Sequence, residues 1–167
     1  MSSGEVSCWG LDPDGLLLKY KTEKDGDQTV PSSAKLLSEG KLSLKEMVSN
    51  RNTTVLTVNE NNKVYFIGKT SGFDGIGPVG GTNMTATTLT VVDKITDVTS
   101  LSMGGSHVCA LQNGKMSCWG FQGTVKVIDL TGPGNQYVPT PVTLPNGEVP
   151  IQICTGLMHN CALTKTG

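Results

Sequence analysis

The stretch GGSHVCALQNGKMSCWG, residues 104–120, decides the fold. Its opening small residues indicate a tight turn, and the segments HVCALQ and KMSCWG have the length and apolar content of short strands. Between them lies Asn113-Gly114, and an Asn-Gly pair between two apolar runs is the strongest short-range signal for a β-hairpin. The sequence therefore predicts an antiparallel hairpin in which Gln112 pairs with Lys115.

Parts of this stretch recur along the chain, which indicates a repeat architecture. The returning strand KMSCWG has relatives in GEVSCWG, which ends at residue 10, and in NKVYFIG at 62–68. The outgoing strand HVCALQ has relatives in NTTVLT at 52–57 and HNCALT at 159–164. Tandem units of about 50 residues, each a sheet of four antiparallel strands, are typical of propeller blades.

The composition of the 167-residue chain fits an all-β fold, because its 21 glycines suit turns and its abundant Thr and Val suit strands. Charged residues make up 16% of the chain and the formal net charge is −1. We therefore expect no nucleic-acid partner, since phosphate binding depends on clustered Lys and Arg. No apolar run approaches the roughly 20 residues that cross a bilayer, so we expect no membrane partner either.

The parts of the repeat occur in an order that is known from a protein family. A Gly turn, an H-x-x-A-L strand, a Gly hairpin and an aromatic-Gly pair are followed by stretches such as GFDGIG at 72–77 and PTPV at 139–142. This order resembles the regulator of chromosome condensation (RCC-type) repeat, nearest to its Cys-rich bacterial style. The resemblance covers most of the chain except about 16–45. It implies a β-propeller whose blades are four-stranded antiparallel meanders.

The resemblance also implies how the chain divides into blades. The chain opens at a CWG strand and closes after an HxCAL strand, which gives three blade equivalents in a circularly permuted frame. The expected units lie at about 4–44, 45–96 and 97–148, followed by a half-blade at 149–167. The N-terminal strand of a partner or of a neighbouring segment would complete that half-blade.

Three blades cannot close a ring, since propellers have about four to eight. Two interpretations stay open. The chain is a piece of a larger or split propeller, or two copies assemble into six blades. The expected partner is therefore a protein, either a second copy in a homodimer or a complementary propeller fragment.

The cysteines give the most specific chemical prediction. The hairpin places Cys109 opposite Cys118, with Cβ atoms close to the separation that a disulfide bridges. By analogy between repeats, Cys161 would face Cys8 in a mixed blade. The alternative is that all the cysteines are reduced core residues. Oxidised pairs would indicate an extracellular or periplasmic protein, and reduced ones a cytoplasmic protein.

The second repeat copy has Thr54 and Phe66 at the two cysteine positions, so both cysteines are missing together. This joint absence favours pairing. Cys154 is left over. It aligns with Met103 and is expected to be a buried apolar residue.

Two repeat positions are expected to be structural. Trp9, Ile67 and Trp119 hold the same place before a closing Gly, and a place shared by Trp and Ile calls for bulk in the packing between blades. His107 and His159 also share one position. Each follows a small-residue turn, where an imidazole can bond the backbone of the turn.

The connections after the CWG-type strands differ most between copies, and binding sites concentrate on such loops. Aromatic residues there can anchor a partner, or they can fill the spaces between blades. The three aromatic candidates are Phe73, Phe121 and Tyr137.

Nothing in the sequence indicates catalysis. The chain has only two histidines, no nucleophile set at motif spacing and no phosphate-binding Gly loop before a helix, so we expect no enzyme, no cofactor and no metal. The main interpretation is a non-enzymatic protein-interaction propeller. Through the resemblance, two alternatives stay open: a guanine-nucleotide exchange factor for a small GTPase, and a secreted enzyme-inhibiting or surface-binding propeller.

Overall fold

A computed structural model describes residues 6–11, 27–33, 44–50, 55–59, 61–69, 85–120 and 136–166. Regular structure in these ranges consists of β-strands and a short 3-10 turn at Pro145–Gly147. None of it includes a helix long and apolar enough to cross a membrane. The strands are β1 (Ser7–Leu11), β2 (Asp27–Ser33), β3 (Leu44–Ser49), β4 (Val55–Asn59), β5 (Val64–Lys69), β6 (Thr85–Val91), β7 (Ser100–Met103), β8 (His107–Gln112), β9 (Lys115–Gly120), β10 (Gln136–Val142), β11 (Pro150–Thr155) and β12 (Asn160–Thr164).

Two complete four-stranded sheets form the centre of the fold. Sheet B contains β3 to β6 and sheet C contains β7 to β10, and in each sheet the strands pair in chain order as antiparallel neighbours. This is the four-stranded meander that the repeat predicts. The expected fold class, all-β with propeller blades, is confirmed.

The hairpin of sheet C forms as predicted. Asn113 and Gly114 have φ values of 48° and 80°, and two positive φ angles are what a tight two-residue hairpin turn requires. Gln112 pairs with Lys115, so the register is the predicted one.

Two smaller sheets lie at the ends of the described chain. Half-sheet A pairs β1 with β2, and half-sheet D pairs β11 with β12. Half-sheet D repeats the pairing of β7 with β8, and half-sheet A repeats that of β9 with β10. Each half-sheet therefore contains one half of the strands of a blade.

A shared irregularity identifies half-sheet A as the outer half of a blade. Between Cys8 and Gly10 the chain of β1 advances by two residues, while the paired segment of β2 advances by four. The same difference of two residues against four occurs just before Gly68 in sheet B and just before Gly120 in sheet C. A bulge at one repeat position in all three units re-aims the strand there and marks it as a feature of the repeat.

The hydrophobic cores lie between the sheets. The first core joins sheet B to sheet C, and Phe66 and Trp119 are its largest fully buried side chains. The second joins sheet C to half-sheet D, where Leu111 and Met116 cluster with Ile153. Sheet C thus buries one face against sheet B and the other against half-sheet D.

Hydrogen bonds between the first strands of successive sheets reinforce this stacking. The Leu101 amide donates to Glu46 Oε2 at 2.9 Å, and the Ser100 hydroxyl donates to Glu46 Oε1 at 3.1 Å. One sheet further, the Thr155 amide donates to Ser102 Oγ at 2.9 Å. Charge-assisted and backbone hydrogen bonds of this kind fix the spacing of neighbouring blades.

Candidate functional site: the open half-sheet

Half-sheet D reproduces the first two strands of sheet C residue by residue. The Gly156 amide donates to the His159 carbonyl at 2.8 Å, as the Gly104 amide donates to the His107 carbonyl at 2.8 Å. Counting from these turns, Cys161 occupies the position of Cys109. Equivalent side chains in the two units can therefore be compared directly.

One disulfide is present among the described cysteines. Cys109 and Cys118 are register partners in β8 and β9, their Cα atoms lie 4.1 Å apart, and they form the predicted cross-strand disulfide. The remaining cysteines, at positions 8, 154 and 161, are thiols. Cys8 is half-buried in β1, whereas the other two are exposed.

The structure corrects the alignment of Cys154. The expectation was a buried residue at the position of Met103, but Cys154 is exposed and pairs with Cys161. Its counterpart is Ser102, which pairs with Cys109. The shift of one residue places the Cys154 side chain on the outer face of half-sheet D.

A second correction concerns the second repeat copy. Phe66 pairs with Leu56, not with Thr54. Strand β4 continues to Asn59 before the chain turns, so letter-by-letter alignment displaces it by two residues. The copy still lacks both cysteines, because Leu56 and Phe66 hold the two places.

Equivalent residues differ sharply in exposure between the two units. In sheet C, His107 and Leu111 are buried, with Leu111 only 7% exposed. In half-sheet D, His159 is exposed and Leu163 is 49% exposed. Sheet C is covered by half-sheet D, whereas in the described part of the chain half-sheet D has no following sheet against its outer face.

Trp9 shows the same contrast. Ile67 and Trp119 are fully buried, but Trp9, at the same repeat position, is 64% exposed. It departs from the expected packing because β1 and β2 form only half of a blade. His159 is also exposed, although its ring lies against Gly156 in the turn before β12.

These exposed positions define one candidate surface, which we call the open half-sheet. It consists of the outer face of half-sheet D and the edge of β12 that faces away from β11. Its exposed apolar and thiol side chains are Ile151, Cys154, Cys161 and Leu163.

Comparison with solved structures shows the same architecture. Human WBSCR16 matches with a TM-score of 0.74 at 21% identity, over 98% of this chain and 41% of that one. Prp20p from Saccharomyces cerevisiae, described with its binding properties to Gsp1p and histones, matches with a TM-score of 0.73 at 19% identity, over 96% and 39%. A chain in the structure of Kap60 bound to yeast RCC1 (Prp20) matches with a TM-score of 0.65 at 20% identity, over 96% and 38%.

The chain folds as RCC-type propeller blades. It spans about 40% of the length of these structures, which fits a partial propeller. No protein-family model matches the sequence, and a search of curated proteins gives no match. The nearer likeness to Cys-rich bacterial repeats stays a prediction.

The aromatic anchor candidates cannot be placed on these RCC-type blades. Phe73 and Phe121 lie outside the described residues, and Tyr137 lies in β10, where its side chain is not described. Their role as partner anchors stays a prediction. Within the described ranges, no three His, Cys, Asp or Glu side chains are grouped in a way that could hold a metal ion.

His107 links sheet C to half-sheet D through a side-chain hydrogen bond. Its ring Nε2 lies 2.9 Å from Asn160 Oδ1 across the interface between sheet C and half-sheet D. Burial lowers the pKa of His107 below its ordinary value of about 6.5, and the hydrogen bond to Asn160 opposes this shift without cancelling it. The neutral imidazole, donating through Nε2, is the form that fits the folded state.

We expect the free energy of unfolding to fall as the pH drops through about 6.5, because the unfolded chain then takes up a proton that folded His107 resists. The stabilisation is complete above the unfolded-state pKa and is lost on acidification toward the lower folded-state pKa. Urea unfolding at several pH values between about 7.5 and 5.5 measures the slope. His107→Gln keeps a donor for Asn160 and should flatten the slope. His159→Gln removes a neighbouring imidazole whose charge helps to lower the pKa of His107, so it should reduce the slope only in part. An unchanged slope in His107→Gln would contradict this assignment.

Proposed function

We propose that this protein is a non-enzymatic protein-interaction module built from RCC-type blades, and that its first partner is a second copy of itself. Half-sheet A of one copy joins half-sheet D of the other to complete a four-stranded blade. Two such mixed blades and two copies of sheets B and C make a six-bladed ring. The observation that carries the proposal is the presence of the two complementary halves of a blade in one chain.

Sheet C supplies the template for the mixed blade. In sheet C, β8 is flanked by β7 and β9, and the pairing of β8 with β9 brings Cys109 opposite Cys118. Placing β1 of a second copy against β12 in the same register brings its Cys8 opposite Cys161, and Ser7 opposite Ala162. The strand order becomes β11-β12-β1-β2, as in the complete sheets.

The distribution of proline supports this choice of edges. The outer strands β2 and β10 carry Pro31, Pro139 and Pro141, and each proline removes a backbone donor that further strand pairing would need. Strands β1 and β12 contain no proline. The mixed blade therefore joins β1 to β12, two strands in which every residue keeps its backbone donor.

Burial supports the same arrangement. Trp9 and Leu163 are exposed here, while their counterparts Trp119 and Leu111 are buried between sheets. Burying a large apolar side chain stabilises by about 1.5–3 kcal/mol. Completion of the blade and of its neighbours would give these residues the environment of their counterparts.

Sedimentation equilibrium of the reduced protein over a range of concentrations tests the assembly. The expected species is a dimer of the 17.6 kDa chain, which dissociates in Ala162→Pro. Backbone N–H groups along β12 point alternately toward and away from β11. Counted from the hydrogen bond between Gly156 and His159, the Ala162 amide points away from β11. Proline there removes a donor for β1 and leaves the pairing with β11.

Ala162→Val is the matched control, because it keeps the amide and suits a strand. Leu163→Lys provides an independent variant, since it changes an exposed side chain of the open half-sheet and should also give a monomer. Far-ultraviolet circular dichroism shows whether each variant is folded. A wild-type monomer at every concentration, or folded Ala162→Pro that still dimerises, contradicts the proposal.

The exchange-factor alternative has one specific observation in its favour. The fold matches Prp20p, whose structure is described with its binding to Gsp1p. At 19% identity this likeness concerns the fold, and a fold hosts many functions. Accelerated release of labelled nucleotide from a small GTPase would support exchange activity, and an unchanged release rate would leave protein binding as the function. The enzyme-inhibiting alternative stays a prediction.

A further inference from the structure

The open half-sheet contains two thiols directly opposite each other. Cys154 in β11 and Cys161 in β12 are register partners, and both are exposed. Facing residues in paired strands point to the same side of a sheet. In sheet C the corresponding positions on three neighbouring strands are Ser102, Cys109 and Cys118. There Cys109 forms its disulfide with Cys118 on the following strand.

The backbone pattern shows that both neighbours of Cys161 are within disulfide reach. The Gly156–His159 hydrogen bond makes that pair a hydrogen-bonded one, so the next pair but one, Cys154 with Cys161, is also hydrogen-bonded. Cα atoms in such pairs lie about 5.5 Å apart, inside the range that disulfides span. On its other side Cys161 would face Cys8 in the closer geometry of Cys109 and Cys118, whose Cα atoms are 4.1 Å apart.

We propose that Cys161 is a shared redox site with two alternative partners. When the edge of β12 is open, Cys161 forms an intrachain disulfide with Cys154. When a second copy completes the blade, Cys161 forms an interchain disulfide with Cys8 of that copy. The second bond rests on the proposed assembly, whereas the first does not.

The chemistry is thiol–disulfide exchange. A small-molecule disulfide such as oxidised glutathione is the oxidant: the Cys154 thiolate attacks one of its sulfurs and releases one glutathione thiolate. The Cys161 thiolate then attacks Cys154 Sγ and releases the second, so two thiols are oxidised and one glutathione disulfide is reduced. On assembly, the Cys8 thiolate of the second copy attacks Cys161 Sγ and Cys154 leaves as a thiolate, which conserves the number of disulfides.

The experiment equilibrates the native protein in buffers of reduced and oxidised glutathione, blocks thiols with iodoacetamide and maps the disulfides. Non-reducing electrophoresis reports the covalent dimer. Met158 lies between Cys154 and Cys161, so cleavage after methionine separates them unless a disulfide joins them. Cys109 and Cys118 are fully buried and serve as an internal marker of the folded state.

The dilute wild type is expected to give the Cys154–Cys161 bond, and the concentrated wild type a covalent dimer through Cys8. Cys8→Ser should lose the covalent dimer completely and keep the intrachain bond. Cys154→Ser should form more covalent dimer than the wild type, because the competing partner is gone. Cys161→Ser should lose both bonds.

The outcomes separate this inference from the proposed assembly. An intrachain bond without any dimer, covalent or not, overturns the interchain arm together with the assembly and leaves the dithiol site supported. Full alkylation of Cys154 in oxidised Cys8→Ser overturns the dithiol site, even if sedimentation shows a dimer. Unchanged or reduced covalent dimer in Cys154→Ser overturns the competition between the two partners.

Discussion

Trp119→Ala is expected to lower the free energy of unfolding by about 3–5 kcal/mol. The indole is fully buried in the core that joins sheets B and C, so its removal leaves a cavity that surrounding strands cannot collapse to fill. Domains are commonly stable by only about 5–15 kcal/mol in total. Urea unfolding followed by circular dichroism should therefore show a midpoint shifted far toward zero denaturant.

Trp9→Ala is the matched control, since the same residue type holds the same repeat position on an exposed site. In the dilute, reduced protein it should change the unfolding free energy much less. Its effect should instead fall on assembly. Equal destabilisation by both substitutions would show that exposure at Trp9 does not reflect an incomplete blade.

Tryptophan fluorescence gives an independent check on the same assignment. Trp9→Phe leaves the buried Trp119 and should emit at short wavelength. Trp119→Phe leaves Trp9, whose emission should be solvent-like at low concentration and move to shorter wavelength on dimerisation. A solvent-like maximum from Trp119 in the folded protein would contradict its place in the core.

The features that could be predicted from sequence are those set by neighbouring residues. The Asn113-Gly114 turn defines its own geometry, and a two-residue loop leaves only one register, so the pairing of Cys109 with Cys118 followed directly. Strand β3 likewise holds the place of the first strand of its four-stranded sheet, as β7 does in sheet C. Local turn chemistry and repeat order agreed there, which is why the blade was predictable.

The alignment errors arise where turn chemistry differs between copies. The second hairpin has a longer loop, closed by Asn59, whose side-chain Oδ1 accepts from the Lys63 amide at 3.0 Å. No short signal such as Asn-Gly indicates where β4 ends, so letters alone placed Thr54 instead of Leu56 opposite Phe66. The alignment of Cys154 had the same weakness, because the turn Gly156-Leu157-Met158 shares only its first residue with Gly104-Gly105-Ser106.

The open half-sheet could not be predicted from residue types. Trp9 and Trp119 are the same residue in the same motif, and only the sheets packed around them decide that one is exposed and the other buried. The same holds for His159 and His107. Burial depends on which blades surround a side chain in space. A repeat sequence has the same residue at a given position whether or not a neighbouring blade is packed against it.

Gly120→Ala should be strongly destabilising for the addition of a single methyl group, with a loss of roughly 3 kcal/mol or more. Gly120 has φ of 123°, a conformation that side chains with a Cβ rarely adopt. A Cβ added there would lie 2.5 Å from the Ser106 carbonyl oxygen and 2.6 Å from His107 Cα, both of them backbone atoms. Gly68 repeats the conformation with φ of 122°, so the glycines that follow Ile67 and Trp119 share a backbone reason for being glycine.

Gly147→Ala is a comparison variant for that loss. Gly147 also has a positive φ, 68°, but an added Cβ would meet no atom within 4 Å. Its substitution should cost only the conformational part, about 1–2 kcal/mol. Thermal unfolding of both variants against the wild type measures the difference, which combines the close approach of β9 to the turn before β8 with the larger φ of Gly120. If Gly120→Ala proved no more destabilising than Gly147→Ala, the close contact between Gly120 and the turn at His107 would not contribute to the loss. The requirement for glycine at this repeat position would then come from φ alone.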